Sequence, residues 1–196
     1  MKTLFIKRFQ YYKNLGDQSF DQLTEEQLFW QYNAESNSIA IIVKHLAGNM
    51  ISRWTNFLKE DGEKSWRNRD SEFENSFQNN QEMLDYWEKG WDCLFRALEP
   101  LRNEDMNEII LIRQEKHTVF DAILRQLAHY PYHIGQIVYI AKMCKNQDWE
   151  TLSIAKNASE TFNQKMLEKS KISENQENSS PVCFAKSQEV RDDYQV

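Results

Sequence analysis

Residues that form turns are scarce in this sequence, which has only five glycines and three prolines among its 196 residues. This scarcity argues against an all-β fold of short strands, because the many chain reversals of such a fold depend on those residues. Glutamate, glutamine, leucine and lysine are plentiful, and all four favour helices. The length is sufficient for one domain with a sizeable core. We therefore predict an all-α domain.

Cysteines and long apolar runs are also scarce. The three cysteines, Cys93, Cys144 and Cys183, are odd in number and far apart, which argues against a disulfide framework and for reduced thiols. No run reaches the roughly 18 apolar residues that a membrane span requires. Basic residues also interrupt residues 1–15, so this stretch lacks the apolar region of a secretory signal. We expect a cytoplasmic protein with no membrane partner.

Positive charge is in deficit along the chain. The 24 lysines and arginines are outnumbered by 30 aspartates and glutamates, which gives a formal net charge of -6. No stretch concentrates lysine and arginine densely enough to follow a phosphate backbone. The charge pattern therefore argues against nucleic acid as a partner.

Apolar residues recur at helical spacing in four segments of the chain. This periodicity predicts amphipathic helices over residues 3–20, 37–58, 79–98 and 120–143. Thr24 and Gln27 have the spacing of a capping box, and the polar residues that end in Ser36 and Ser38 are predicted to cap the second long helix. These four helices would supply the core.

The segments between and after these helices are predicted as follows. The charged stretch with the Gly62 break is a surface connection, ordered by Trp66 and Phe73. Residues 109–119, rich in β-branched side chains, form either a small hairpin or a long helical turn before the last core helix. We predict one domain over residues 1–156, followed by a polar and mostly disordered tail over 157–196.

Two histidines lie four residues apart in the last core helix. A step of four residues places His129 and His133 within about 40° of each other on a helix, one turn apart and facing the interior. Pro131 lies between them, so the helix either kinks there or breaks and redirects His129. We favour the kink, because the apolar arc continues beyond the proline without a change of phase.

The second long helix presents a third histidine, His45, toward the same predicted interior. Two imidazoles from one helix and one from another can form a facial set that leaves positions on a metal ion open for water or substrate. The alternative is that these are core histidines that hydrogen-bond to backbone carbonyls. His117, in the predicted hairpin, fits no such set and is interpreted as a surface residue.

Three stretches of the chain carry a family resemblance. "SNSIAIIVKHLAGNMISRWTNFL", "DGEKSWRNRDSEFE" and "RQLAHYPYHIGQIVYIAKM" resemble the DinB-like superfamily over about residues 1–154, through the motifs H-L-x-G-N and H-x-x-x-H-x-G-Q. That superfamily includes YfiT-like metal-dependent hydrolases and bacillithiol transferases. The resemblance implies an up-and-down four-helix bundle, often a homodimer. It also implies a divalent metal ion, nickel or zinc, on His45, His129 and His133.

The resemblance extends more weakly to four neighbouring side chains. Asn49 and Gln136 lie about one turn from the histidines and would orient water or substrate, or else simply hydrogen-bond between helices. Arg53 and Arg125 would attract an anionic low-molecular-weight thiol cofactor such as bacillithiol, or else pair with acidic neighbours or solvent. Cys144 is about 16 Å along the helix from His133, too far away to be a ligand.

Two functions from different classes follow from these residues. The first is a metal-dependent transferase or hydrolase that acts on a small molecule and activates a thiol or water on the three-histidine site. No residue is assigned as an independent general base, which fits thiol transfer better than peptide hydrolysis. The second is a non-catalytic, dimeric metal-binding or stress-response protein. Structural zinc sites, which commonly have four ligands, argue mildly against this second function.

Overall fold

The computed structural model describes residues 1–178, with side-chain detail for residues 1–172. The described residues divide into two units, of which the first is Met1–Trp149 and the second begins at Glu150. The first unit contains helices α1 (Lys2–Phe20), α2 (Glu25–Phe29), α3 (Ile39–Trp54), α4 (Asn80–Leu98) and α5 (Val119–Lys145), together with strands β1 (Ile109–Ile112) and β2 (Glu115–Thr118). The described residues are therefore mostly helical, as the composition predicts.

Local sequence signals explain where the helices of the first unit begin. Thr24 and Gln27 form the predicted capping box at the start of α2. The Ser38 hydroxyl accepts the Ile41 backbone N–H at the start of α3, as predicted. Helix α3 ends at Trp54, four residues before the predicted limit, and the chain then enters an irregular segment.

The four long helices pack in neighbouring pairs: α3 lies against α4 and α5, and α1 lies against α5 and α4. Large aromatic side chains fill the space between them, among them Phe9, Trp87, Trp91 and Tyr130. Gly90 allows α4 to approach α3 closely, because a Cβ atom there would lie 2.7 Å from the Ala47 Cα atom. This contact fixes the helix that carries His45.

The connection between α3 and α4 spans residues 55–79, and its charged stretch, residues 59–76, was predicted to lie on the surface; most of these residues are exposed, but the prediction is wrong at three of them. Gly62, Lys64 and Glu72 are buried. Trp66 is 59% exposed and does not order the segment, whereas Phe73 stacks on the His45 ring. Charged side chains are tolerated inside because they pair with one another, so composition alone gave the wrong location.

The predicted hairpin is confirmed between α4 and α5. Strands β1 and β2 pair antiparallel, with Ile109 opposite Thr118, and the long helical turn considered as the alternative does not form. Arg113 and Gln114 at its turn both have positive φ angles, as a type I′ turn requires. The Asp61 carboxylate accepts both of their backbone N–H groups at 2.8 Å, which ties the hairpin to the connection between α3 and α4.

Helix α5 runs without interruption through Pro131, so the predicted alternative of a broken helix is wrong. His129 and His133 therefore belong to one continuous element, one turn apart. Their relative position is set by helix geometry rather than by a loop.

The second unit contains helix α6 (Ser159–Asn178), in a stretch where disorder was predicted. This stretch has many residues of high helix propensity and no glycine or proline, which accounts for the helix, and the disorder of the tail stays a prediction. The rest of the predicted tail lies outside the described residues. The boundary after residue 156 stays a prediction. Within residues 1–178, no helix combines the length and apolar character that crossing a membrane requires.

Candidate metal centre

Three histidine side chains converge between helices α3 and α5. Each of His45, His129 and His133 offers a ring nitrogen, and these three atoms lie within 4.8 Å of one another. The ring centroids are 4.9 to 5.5 Å apart, and the ring planes are nearly perpendicular to one another. Such a cluster could hold one metal ion.

The His45 ring is held by a carboxylate from the connection between α3 and α4. Its Nδ1–H donates to Glu72 Oε2 at 3.0 Å. Arg67 in turn donates to both oxygens of Glu72, from Nε at 2.7 Å and from Nη2 at 2.9 Å. A carboxylate in this position fixes the tautomer and orientation of a metal-binding histidine and makes its other nitrogen more basic.

The two histidines of α5 have partners of the same kind on their own helix. Gln126 Oε1 lies 3.3 Å from His129 Nδ1, and Gln136 Oε1 lies 2.9 Å from His133 Nδ1. An amide oxygen only accepts hydrogen bonds, so Nδ1 carries the proton in both rings. All three Nδ1 atoms are thus engaged, which leaves the Nε2 lone pairs available to a metal ion. The donor set fits a divalent cation.

Burial keeps the two α5 histidines neutral. Desolvation, followed by the charges of His133 and His45, lowers the pKa of His129 to about 3. Desolvation also lowers the pKa of His133, although the hydrogen bond to Gln136 opposes it. Both rings are therefore uncharged at neutral pH, with a single proton on Nδ1. Burial alone would raise the pKa of Glu72, but its hydrogen bonds with His45 and Arg67 outweigh that effect and lower it.

Gly48 provides the space that Glu72 occupies. A Cβ atom at residue 48 would lie 2.6 Å from Glu72 Oε1 and 2.9 Å from its Cδ atom. This glycine is the fourth residue of the H-L-x-G-N motif, which begins at His45. The motif therefore contains both His45 and Gly48, the glycine that leaves room for the Glu72 carboxylate beside that histidine.

A cavity of about 490 Å³ opens onto the three histidines. Asn49, Gln126 and Phe73 line part of its wall. Arginines supply most of the rest, namely Arg53, Arg67, Arg69, Arg113 and Arg125. A small molecule in this cavity would contact the imidazoles and several guanidinium groups at the same time.

The structure brings three of the four predicted neighbouring side chains to this cavity. Asn49, Arg53 and Arg125 line it. Gln136 does not line the cavity but hydrogen-bonds to His133, which does. The Asn49 side-chain oxygen accepts a hydrogen bond from the Tyr130 hydroxyl at 3.2 Å, which agrees with the alternative of a polar contact between helices. The roles of these four residues in binding stay predictions.

The remaining histidine and Cys144 lie outside the cluster. His117 was interpreted as a surface residue, but it is half-buried, with its Nδ1 atom 2.6 Å from the Asp121 carboxylate. Cys144, a free cysteine, lines a different cavity together with Gln27 and Met143.

Sequence reasoning missed the residues that support the histidines. Gln126 precedes His129 by three residues, just as Gln136 follows His133 by three, so helical spacing could have identified it. Glu72 had no such signal, because it lies in a single 3-10 turn, Asp70–Phe73, among other acidic residues of the connection between α3 and α4. Only the fold brings it to His45.

Comparison with known proteins places the chain in one sequence family. The family model described as "Protein of unknown function (DUF1572)" matches residues 2–158. This range includes the three histidines, their hydrogen-bond partners and all five arginines of the cavity. No curated protein matches the chain.

Proposed function

The chain belongs to the DUF1572 family of proteins of unknown function, and we propose from its site that it is a metal-dependent enzyme acting on a small molecule. The observation that carries this proposal is the convergence of His45, His129 and His133, with their Nδ1 atoms engaged, at a cavity large enough for a substrate. The proposal includes a DinB-like, up-and-down four-helix bundle as the scaffold. It also includes nickel or zinc as the metal ion.

His45, His129 and His133 would hold a divalent ion, which would supply Lewis-acid chemistry that lowers the pKa of a thiol or water. The chain's own residues hold the imidazoles in place and surround the open positions. Glu72, the carboxylate that accepts from His45, is also engaged by Arg67, so it is not free to act as a general base. This favours transfer of a low-molecular-weight thiol such as bacillithiol over peptide hydrolysis, for which a free glutamate near the metal ion is expected.

Metal content is the first test of this proposal. We expect untagged protein to contain about one divalent ion per chain by mass spectrometry, and the His129→Ala variant to contain none. His117→Ala, which changes the histidine outside the cluster, is the matched control and should retain the metal. Absence of metal after reconstitution with nickel, zinc, iron or manganese would contradict the proposal and leave the histidines as core residues.

The same His129→Ala variant distinguishes an enzyme from a protein that is only stabilised by metal. If the site is catalytic, the variant loses thiol transfer to an electrophilic dye while its melting temperature falls only modestly. If the metal is structural, the melting temperature of the variant falls sharply, to that of the metal-free wild-type protein. The second result would favour the non-catalytic binding protein.

We also propose that the protein is a homodimer. Helix α5 supports this with exposed apolar side chains on one side of its surface, at Leu124, Tyr132, Tyr139 and Met143. The Tyr139→Glu substitution would place a charge among them, and we expect it to convert the dimer to a monomer in light-scattering measurements after gel filtration. An unchanged mass, or a monomeric wild-type protein, would contradict this arrangement.

A further inference from the structure

One arginine of the cavity is buried with most of its hydrogen-bonding capacity unused. Arg53 is only 6% exposed, and neither its Nε nor its Nη1 atom has a hydrogen-bond partner in the part of the chain that the structure describes. Its nearest carboxylate oxygen is Glu63 Oε2, 3.4 Å from Nη2. A buried cation with unpaired donors is costly, so a ligand that supplies acceptor oxygens would stabilise this side chain.

The carboxylates around the cavity do not balance its arginines. Glu63 is shared by three of them, since Arg67 and Arg113 lie 3.3 and 3.1 Å from the same oxygen that faces Arg53. Glu72 pairs with Arg67 alone among the five. The imidazoles carry no negative charge and so cancel none of this positive charge. Positive charge is therefore in excess in the cavity, although the whole chain is acidic.

Arg125 adds positive charge at the solvent-exposed side of the cavity. It lies on α5 one turn before His129, lines the same cavity and is exposed. The buried Arg53 and the exposed Arg125 thus provide guanidinium groups at two depths of one cavity that also contains the three histidines. The planar fork of an arginine matches the paired oxygens of a carboxylate or a phosphate.

We propose that this cavity selects an anionic small molecule, whose carboxylate or phosphate group binds Arg53 and Arg125 while its reactive end lies toward the three histidines. This inference rests on the proposed function only in treating the anion as part of the substrate or thiol cofactor. The guanidinium groups themselves need no metal ion to bind an oxyanion. The class of ligand excludes cationic small molecules, which the guanidinium groups would repel, and a neutral molecule would leave the excess positive charge of the cavity unbalanced.

The test uses full-length, metal-free protein at low ionic strength, titrated calorimetrically with sodium phosphate and, separately, with sodium succinate. We expect saturable binding of at least one of them to the wild-type protein. The Arg125→Gln variant, changed at an exposed position, is expected to bind about tenfold more weakly. Arg96→Gln removes the same charge from α4, where the side chain is 78% exposed and pairs with Asp92, and should bind as the wild type does.

A second variant probes the buried group directly. Arg53→Lys keeps the positive charge but loses the fork, so binding should weaken even though the net charge is unchanged. If this variant does not fold, Arg125→Gln and its control still decide the question. Tighter binding of phosphate than of succinate identifies a phosphate group, and the reverse order identifies a carboxylate.

Two results would overturn the inference: no saturable binding of either anion to the wild-type protein, or equal binding by wild type and Arg125→Gln. Because no metal is present, failure here leaves the metal measurement untouched. In the same way, a protein that binds no metal but passes this titration would retain an anion site without the proposed chemistry.

Discussion

Replacement of Glu72 by alanine is expected to lower the free energy of unfolding by about 3–5 kcal/mol, the usual cost of removing one partner of a buried ion pair. The reason is Arg67, whose side chain is only 3% exposed and which donates two hydrogen bonds to this carboxylate. The variant leaves that cation buried with only Glu63 near it. Chemical denaturation followed by circular dichroism measures the loss.

Glu74→Ala is the matched control, because this glutamate is exposed and lies two residues away in the same irregular segment. Its unfolding free energy should stay within about 0.5 kcal/mol of that of the wild type. If both variants were equally stable, the buried pair would not stabilise the fold.

The Glu72→Gln variant separates the effect on metal binding from the effect on stability. Glutamine keeps the shape of the side chain but not its negative charge, so it accepts less strongly from His45. We expect metal affinity to fall by about 10–100-fold, as is typical when the partner of a metal-binding histidine is changed. Competition with a chromogenic chelator measures this affinity, and an unchanged value would show that Glu72 does not tune His45.

Alanine at residue 48 is the second substitution with a large expected effect. Its Cβ atom would clash with Glu72, and Arg67 holds that carboxylate so that it cannot simply rotate away. Overpacking of this kind costs about 1–3 kcal/mol. The gain in helix propensity from glycine to alanine, about 1 kcal/mol, offsets part of it. Metal affinity should fall as well, because Glu72 would be displaced from His45.

Gly135→Ala makes the same chemical change in α5, where a Cβ atom would meet nothing within 4 Å. Its unfolding free energy should stay the same or rise by up to about 1 kcal/mol. Both glycines belong to the sequence motifs around the histidines. A difference between the two variants would therefore come from the space around each glycine and not from its place in a motif. Equal behaviour of the two variants at one protein concentration would refute the explanation given for Gly48.

Much of the fold could be predicted because its signals are local. Helical periodicity located α1, α3, α4 and α5 to within a few residues, and side chains such as Ser38 identified where a helix begins. The nearness of His129 to His133 follows from helix geometry alone. The prediction that His45 faces the same interior required only that both helices bury their apolar sides.

The irregular segments could not be predicted in this way. Residues 59–76 are highly charged, and composition placed all of them on the surface, whereas Glu72 is inside because Arg67 and His45 satisfy it. Such pairing depends on residues that only the folded chain brings together. For the same reason, Arg67, Arg69 and Arg113 gave no sign that they would share a cavity with Arg53.

The residues that line the cavity lie partly on long helices and partly on the segments that connect them. The histidines and their glutamine partners lie on the long helices α3 and α5, whose positions are fixed by the core. Arg69 and Arg113 lie instead on the connection between α3 and α4 and at the hairpin turn, and both are exposed. Exposed loops accept substitutions more readily than packed helices do. Relatives of this protein could therefore change the charge and shape of the molecule they accept, and so diverge in substrate, while keeping one unaltered set of imidazoles.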